Sequence, residues 1–288
     1  MSSVVMTRVA LITDSASYIP AQLRRELNVT TVPLHVQIDG ESYREPDLEP
    51  DDFYARIASG VAVSTSQPSP GDFAEAYTAA ARAGADRILS VHIGSNLSGT
   101  IQSARLGAED SPAPVTIVDT GQASFAEGLC VIEAAEALAR GASAGEAEAL
   151  ALAAGRAIGN TFVVRGMGLV ERSGRLATGQ ETNLEGVPVM ALTPEGVKVL
   201  TSATSLDEAV ETMTGHIEAA AAASEGRGLR VGIGHGAAPQ IAAALRERVQ
   251  AIAGVNQIID YVVGPAVGAH VGPGNAGAVF IARPVLPE

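Results

Sequence analysis

The sequence predicts an α/β fold of two packed domains, each built on a central, largely parallel sheet. Apolar β-type runs alternate with segments of helical periodicity along most of the chain, the pattern that lays helices on the faces of a parallel sheet. The length, 288 residues, exceeds one typical domain and suffices to bury a substantial core. A fresh series of strands and helices begins near Thr161 with no low-complexity linker before it. Two halves, residues 1–160 and 161–288, are therefore expected to pack face to face.

In the first half, RVALIT reads as a buried strand, and PAQLRREL as a helix with Pro20 at its first position, where a missing N–H costs nothing. TVPLHVQI reads as extended. EPDDFYARIASG reads as a helix ended by Gly60, and FAEAYTAAARAG as another. Strand RILSVHI, helix TIQSARLGAE and strand PVTIVD follow, then helices over 125–140 and 146–158. Ser124 with Glu127, Ser143 with Glu146 and Ser205 with Glu208 match the capping box, in which hydroxyl and carboxylate satisfy orphan amides reciprocally. In the second half, TFVV is a strand, and PVMALT and VKVLTSA flank a turn at Glu195-Gly196. A helix over 206–223, strand LRVGIGH, helix PQIAAALRERVQAIA and strands QIIDYVV and GAVFIARP complete the series.

Composition narrows the function. The net charge of −13 repels nucleic acid, and no basic stripe interleaved with aromatics overrules it. Aromatic residues are 3 % of the chain and tryptophan is absent, so the core and any ligand cavity must be walled by aliphatic side chains. Cys130, the single cysteine, sits among apolar residues at helical spacing and reads as a core residue. The opening MSSVVMTRVALITDS has too short an apolar run for a signal peptide. The uncharged stretch 261–282 reaches membrane-spanning length, but His270, Asn275, its prolines and its glycines rule out a lipid-facing helix. A soluble, cytoplasmic protein without stable membrane insertion is expected.

VSTSQPSPGDF (Val63–Phe73) separates punctuation from free polar groups. Ser69, Pro70 and Asp72 form a helix start, and Pro68 holds Gln67 extended. Thr65, Ser66 and Gln67 are left without a local task, although loop hydroxyls are commonly only solvated. Farther on, RILSVHIGSNLSGTIQSA runs from a strand into a helix with Ser98 as its expected N-cap. The amides of Gly99 and Thr100 would then form an anion site at the carboxyl end of a strand, and Ser95, not needed for capping, becomes the ligand candidate. His270 lies in the glycine-rich GPAVGAHVGPGNAG, read as a turn between two β-type runs.

Other chemistries fit poorly. GIGHGAAP resembles a dinucleotide fingerprint but lacks an acidic residue about twenty positions on, and reads as a tight strand–helix turn. There is no Gly-Lys pair for a P-loop. The five histidines are scattered with no HxxxH pair, so neither metal nor cofactor is expected. No GxSxG elbow occurs. A small-molecule hydrolase or transferase using Ser95 and His270, oriented by an acid such as Asp14, stands as the alternative to a binding protein.

TSQPSPGDF, GSNLSGTIQSA, LVERSGRL and AHVGPGNAG, in this order after LITDSAS, resemble the DegV family of bacterial fatty-acid-binding proteins over nearly the whole chain. The resemblance implies a non-enzymatic carrier whose two α/β domains clasp a long-chain fatty acid such as palmitate or oleate between them. It implies that Thr65 and Ser95 hold the carboxylate with His270 close by; from the residues themselves, Ser66, Ser98, Gly99 and Thr100 are the supporting candidates at that end. It also implies a partner, a fatty-acid kinase that makes an acyl phosphate, docked through Arg175. Two departures stand out: Gly94 replaces the family's first hydroxyl of the serine pair, and ATGQETNLEG after SGRL is shorter and more polar than usual.

Overall fold

The computed structural model describes residues 7–283. MSSVVM, the start of the stretch read against a signal peptide, and Pro284, the end of the last expected strand, lie outside them. In chain order the elements are β1 (Val9–Asp14), α1 (Ala21–Glu26), β2 (Val29–Val32), β3 (His35–Ile38), β4 (Glu41–Arg44), α2 (Pro50–Ala58), β5 (Val63–Ser66), α3 (Pro70–Arg82), β6 (Arg87–His92), α4 (Thr100–Ala108), β7 (Val115–Asp119), α5 (Phe125–Ala139) and α6 (Ala144–Ala157). Then follow β8 (Gly159–Val163), α7 (Gly168–Arg172), β9 (Val187–Thr193), β10 (Gly196–Ala203), α8 (Leu206–Ala223), β11 (Leu229–Gly236), α9 (Pro239–Val249), β12 (Val255–Val262), α10 (Pro265–Val271) and β13 (Asn275–Ala282).

The chain forms two compact units. The first holds the described residues up to Leu34, with Ser66–Ala123 and Glu127–Arg156. The second holds His35–Thr65, Ser124–Ala126 and the described residues from Ala157 onward. Residues 35–65, which lie in the first half of the sequence, thus cluster with the second unit.

The first unit has the expected parallel sheet, in the order β2-β1-β6-β7. Ile12 and Ile88 pack with Phe73 and Tyr77 of α3 and Ala104 of α4 in its core. Gly107 lets α4 close on α3, since a Cβ there would lie 2.6 Å from the Phe73 Cβ. From β1 the chain first adds β2 on one side, then crosses to β6 and β7 on the other. The carboxyl ends of β1 and β6 therefore flank the switch point where open α/β sheets place ligands.

The second unit departs from the expectation of a largely parallel sheet. Its six strands run β10-β9-β8-β13-β11-β12, and only β11–β12 is parallel. The reason lies in the connections. Two residues join β9 to β10, enough for a hairpin and far too few for a crossover, whereas α9 provides the crossover between β11 and β12. Met213 and Ile217 of α8 and Leu245 of α9 cover the sheet through Val231 and Ala278. A separate three-stranded sheet runs β4-β3-β5.

Several expected segments change character. TVPLHVQI splits at Pro33-Leu34 into β2 and β3, which belong to different sheets. The stretch 261–282 holds the end of β12, the short helix α10 and β13. Among the described residues no helix is long and apolar enough to cross a membrane. The Ser143–Glu146 box forms as expected. At α8, Ser205 accepts from the Glu208 amide, but the Glu208 carboxylate turns back to Thr204 instead. Ser124 adopts φ +59° rather than an extended cap conformation, and the Glu127 carboxylate accepts from Thr13 Oγ1 at 3.0 Å.

Candidate functional site

In the second unit Thr65 is the third of the four residues of β5, and His270 sits in the last turn of α10, a helix where the sequence suggested a turn. Ser69 is occupied, as expected: its hydroxyl accepts from the Asp72 amide while Asp72 accepts from the Ser69 amide. Thr65 is directed elsewhere, with its Oγ1 2.9 Å from His270 Nε2. Burial, and secondarily the Arg175 charge, push the His270 pKa down to about 4. The imidazole is therefore neutral at pH 7 and contributes a hydrogen bond, not a cation. When Nε2–H donates to Thr65 Oγ1, the threonine proton is left for a third acceptor such as a carboxylate.

Arg175 follows α7 on a segment fastened to the β9–β10 hairpin. Its carbonyl accepts from Val197 N at 2.8 Å, and Ala177 N donates to Val197 O at 2.9 Å. Gly196 allows this approach: its φ is +118°, and a Cβ there would lie 2.6 Å from Arg175 O. The half-buried guanidinium donates to Ser173 O.

In the first unit the loop after β6 carries Ser95. Asp119 Oδ1 accepts from the amides of both Ser95 and Gly121 at 3.1 Å, which fixes the loop. The Ser95 side chain is exposed. Gly94 has no room for a hydroxyl, because a Cβ there would lie 2.5 Å from Asn96 Oδ1 and 2.8 Å from Gly121 C. The N-cap of α4 is Gly99, not Ser98; Ser98 Oγ bonds Thr100 Oγ1 at 2.9 Å and takes the Thr100 amide only at 3.4 Å. The Gln67 side chain lies over Gly99, whose Cβ would be 3.2 Å from Gln67 Cδ. Ser66 is half-buried on β5.

Asp14, suggested as an orienting acid, has its partners within the first unit. It is fully buried and accepts from His92 Nδ1 at 3.0 Å, Ile93 N at 3.1 Å and Ala16 N at 3.1 Å. His92 Nε2 lies 2.6 Å from Ser90 Oγ, which meets the Tyr77 hydroxyl at 2.9 Å. The sequence reading missed this chain, although Ser90 and His92 alternate on one face of a strand whose neighbour ends in Asp14. The glycines of GIGHGAAP make room for rings. A Cβ at Gly232 would lie 2.2 Å from Phe125 Cδ1, and one at Gly234 2.2 Å from Tyr261 Cζ, where the two rings stack at 4.7 Å. Cys130 is a core residue whose thiol pKa is raised by burial. Among the described residues no three His, Cys, Asp or Glu side chains gather as metal ligands.

A four-stranded parallel α/β unit with a ligand-type switch point, and a second mixed α/β unit carrying a neutral hydroxyl–imidazole pair, define a two-unit α/β protein. The family model described as "Uncharacterised protein, DegV family" matches residues 8–283, and the chain belongs to that family. A DegV domain-containing protein of Streptomyces coelicolor is 32 % identical over 282 residues, covering 96 % of this chain and 99 % of that protein. The structure of a DegV family protein from Thermus thermophilus, described for its fatty acid binding, superposes with a TM-score of 0.88 at 34 % identity, over 96 % of this chain and 100 % of that one. A Thermotoga maritima protein whose structure is described as revealing fatty acid binding function gives 0.85 at 25 % identity, over 96 % and 100 %.

Proposed function

We propose that this chain is a non-catalytic carrier that binds one long-chain fatty acid and presents it, in the cytoplasm, to a fatty-acid kinase. The hydroxyls of Thr65 and Ser95 hold the carboxylate with His270 beside them, and Ser66, Ser98, Gly99 and Thr100 support that end. Residues 161–288 cover the acyl chain, and Arg175 docks the kinase. The observation that carries this reading is the Thr65–His270 pair in a member of a family whose relatives are described as binding fatty acid. A neutral imidazole that orients a hydroxyl suits the holding of a carboxylate.

A hydrolase built on Ser95 and His270 has less support. The acid suggested for it, Asp14, is engaged by His92, and His270 Nε2 meets a threonine hydroxyl. In the carrier reading affinity comes mainly from the tail, at about 0.8 kcal/mol per buried methylene. Delipidated protein should therefore bind a fluorescent fatty acid saturably, with palmitate displacing the probe and acetate, which has the same head group, failing to do so. Equal displacement by both acids, or no saturable binding, contradicts the carrier reading.

A further inference from the structure

The histidine of the Thr65–His270 pair rides on a helix of seven residues, under two turns and too short to hold its shape unaided. Three side chains fasten it from outside. Glu45, 3 % exposed, accepts from Ala266 N at 2.7 Å in the first turn of the helix. Asn275 Nδ2 donates to Gly272 O at 2.6 Å, just past its end, so donors and carbonyls left over at both termini find partners. The Tyr54 hydroxyl donates to Val263 O at 2.9 Å, two residues before the helix, and accepts from Asn275 Nδ2 at 3.4 Å.

Two glycines make space for that phenol. A Cβ at Gly236 would lie 2.0 Å from Tyr54 Oη, and one at Gly268 2.6 Å from it. Ala269, next to the histidine, packs with Val36, Ile38, Phe53 and Tyr54. Glu45 and Tyr54 come from the segment His35–Thr65, which ends on Thr65 itself. One stretch of chain thus offers the hydroxyl and fastens the helix that brings the imidazole to it.

We propose that Glu45, Tyr54 and Asn275 are positioning residues for the Thr65–His270 pair, holding the imidazole at hydrogen-bond distance from the hydroxyl. The use of that pair for a fatty-acid head group rests on the function proposed above, whereas the positioning stands on geometry within one unit. The test is the ¹⁵N NMR signal of the His270 side chain in ligand-free full-length protein, assigned by its loss in His270→Gln. Thr65→Val marks the shift that accompanies a broken pair. Glu45→Ala and Tyr54→Phe should reproduce that shift with far-UV circular dichroism unchanged, and should weaken oleate binding about tenfold, the effect of roughly one hydrogen bond. Glu45→Gln, whose amide oxygen still accepts from Ala266 N, should keep the wild-type signal. Wild-type signals in both Glu45→Ala and Tyr54→Phe overturn the proposal, and Tyr54→Phe decides alone if Glu45→Ala does not fold. Shifted signals in a protein that binds no oleate even as wild type would support the positioning and remove the fatty-acid reading.

Discussion

His92 in the first unit and His270 in the second each meet a hydroxyl, at 2.6 Å and 2.9 Å. His92 sits in a closed chain. Tyr77, Ser90, His92 and Asp14 are all fully buried, and Asp14 also ties down two backbone amides. Every member has its partner inside the fold, as buried polar groups require. His270 is partly exposed, has Thr65 on one nitrogen, and is influenced by an arginine rather than a carboxylate. A hydroxyl–imidazole contact is therefore not in itself a site. Ser90, His92 and Asp14 reproduce the contact order of a hydrolytic triad, yet no substrate can reach them, while the plainer Thr65–His270 pair keeps access.

The comparison breaks most visibly by removing Asp14. Asp14→Ala strands His92 and two amides in the core and should cost at least about 2 kcal/mol of stability, since each buried group left unsatisfied costs about 1–3 kcal/mol. Urea unfolding measures it, and a loss below about 1 kcal/mol would show that the buried chain is not structural. Thr65→Val and Ser95→Ala should do the reverse. Each should leave stability within about 1 kcal/mol of wild type and weaken fatty-acid binding by about 1.5–3 kcal/mol, the worth of a hydrogen bond to a charged group. Unchanged affinity for a fluorescent fatty acid in both variants would remove the head-group assignment.

Much of the fold was legible in the sequence, whereas the buried chain around His92 was not. Local signals served well: α8 runs from Leu206 to Ala223 as periodicity and its cap indicated, and Ser69-Pro70-Gly71-Asp72 starts α3. Pairing across long separations left no such signal. β13 inserts antiparallel between β8 and β11, and alternation of strands with helices does not reveal strand direction. α10 was hidden because its fasteners, Glu45 and Tyr54, lie more than two hundred residues earlier. Thr65 and Ser95 could be singled out because the neighbouring Ser69 and Ser98 had local tasks to do. Ser98 proved to serve Thr100 rather than to cap the helix, since the cap is set by backbone conformation at Gly99.

pH gives a further handle on His270. The folded His270 has its pKa held down to about 4, against 6.5 for an unperturbed histidine. Between these values the unfolded chain binds the proton and the folded chain does not. This group therefore removes stability as pH falls through that window, by at most about 1.4 kcal/mol per pH unit. His270→Gln should flatten the stability curve between pH 6.5 and 4, and superimposable curves for variant and wild type would contradict the assignment. Smallest on binding is Arg175→Ala. It should leave fatty-acid affinity near wild type, raise the His270 pKa by removing a neighbouring positive charge, and lower acyl-phosphate formation by a cognate kinase. Equal acyl-phosphate production would discard the docking role.

The most direct test of the carrier reading is what the protein already holds when purified from bacterial cytosol. The protein should be denatured, extracted with organic solvent, and the extract analysed by mass spectrometry beside an unrelated protein prepared identically. The account predicts a near-stoichiometric straight-chain long fatty acid in this extract and none in the control. An empty extract, together with no uptake of added oleate or palmitate, would contradict it.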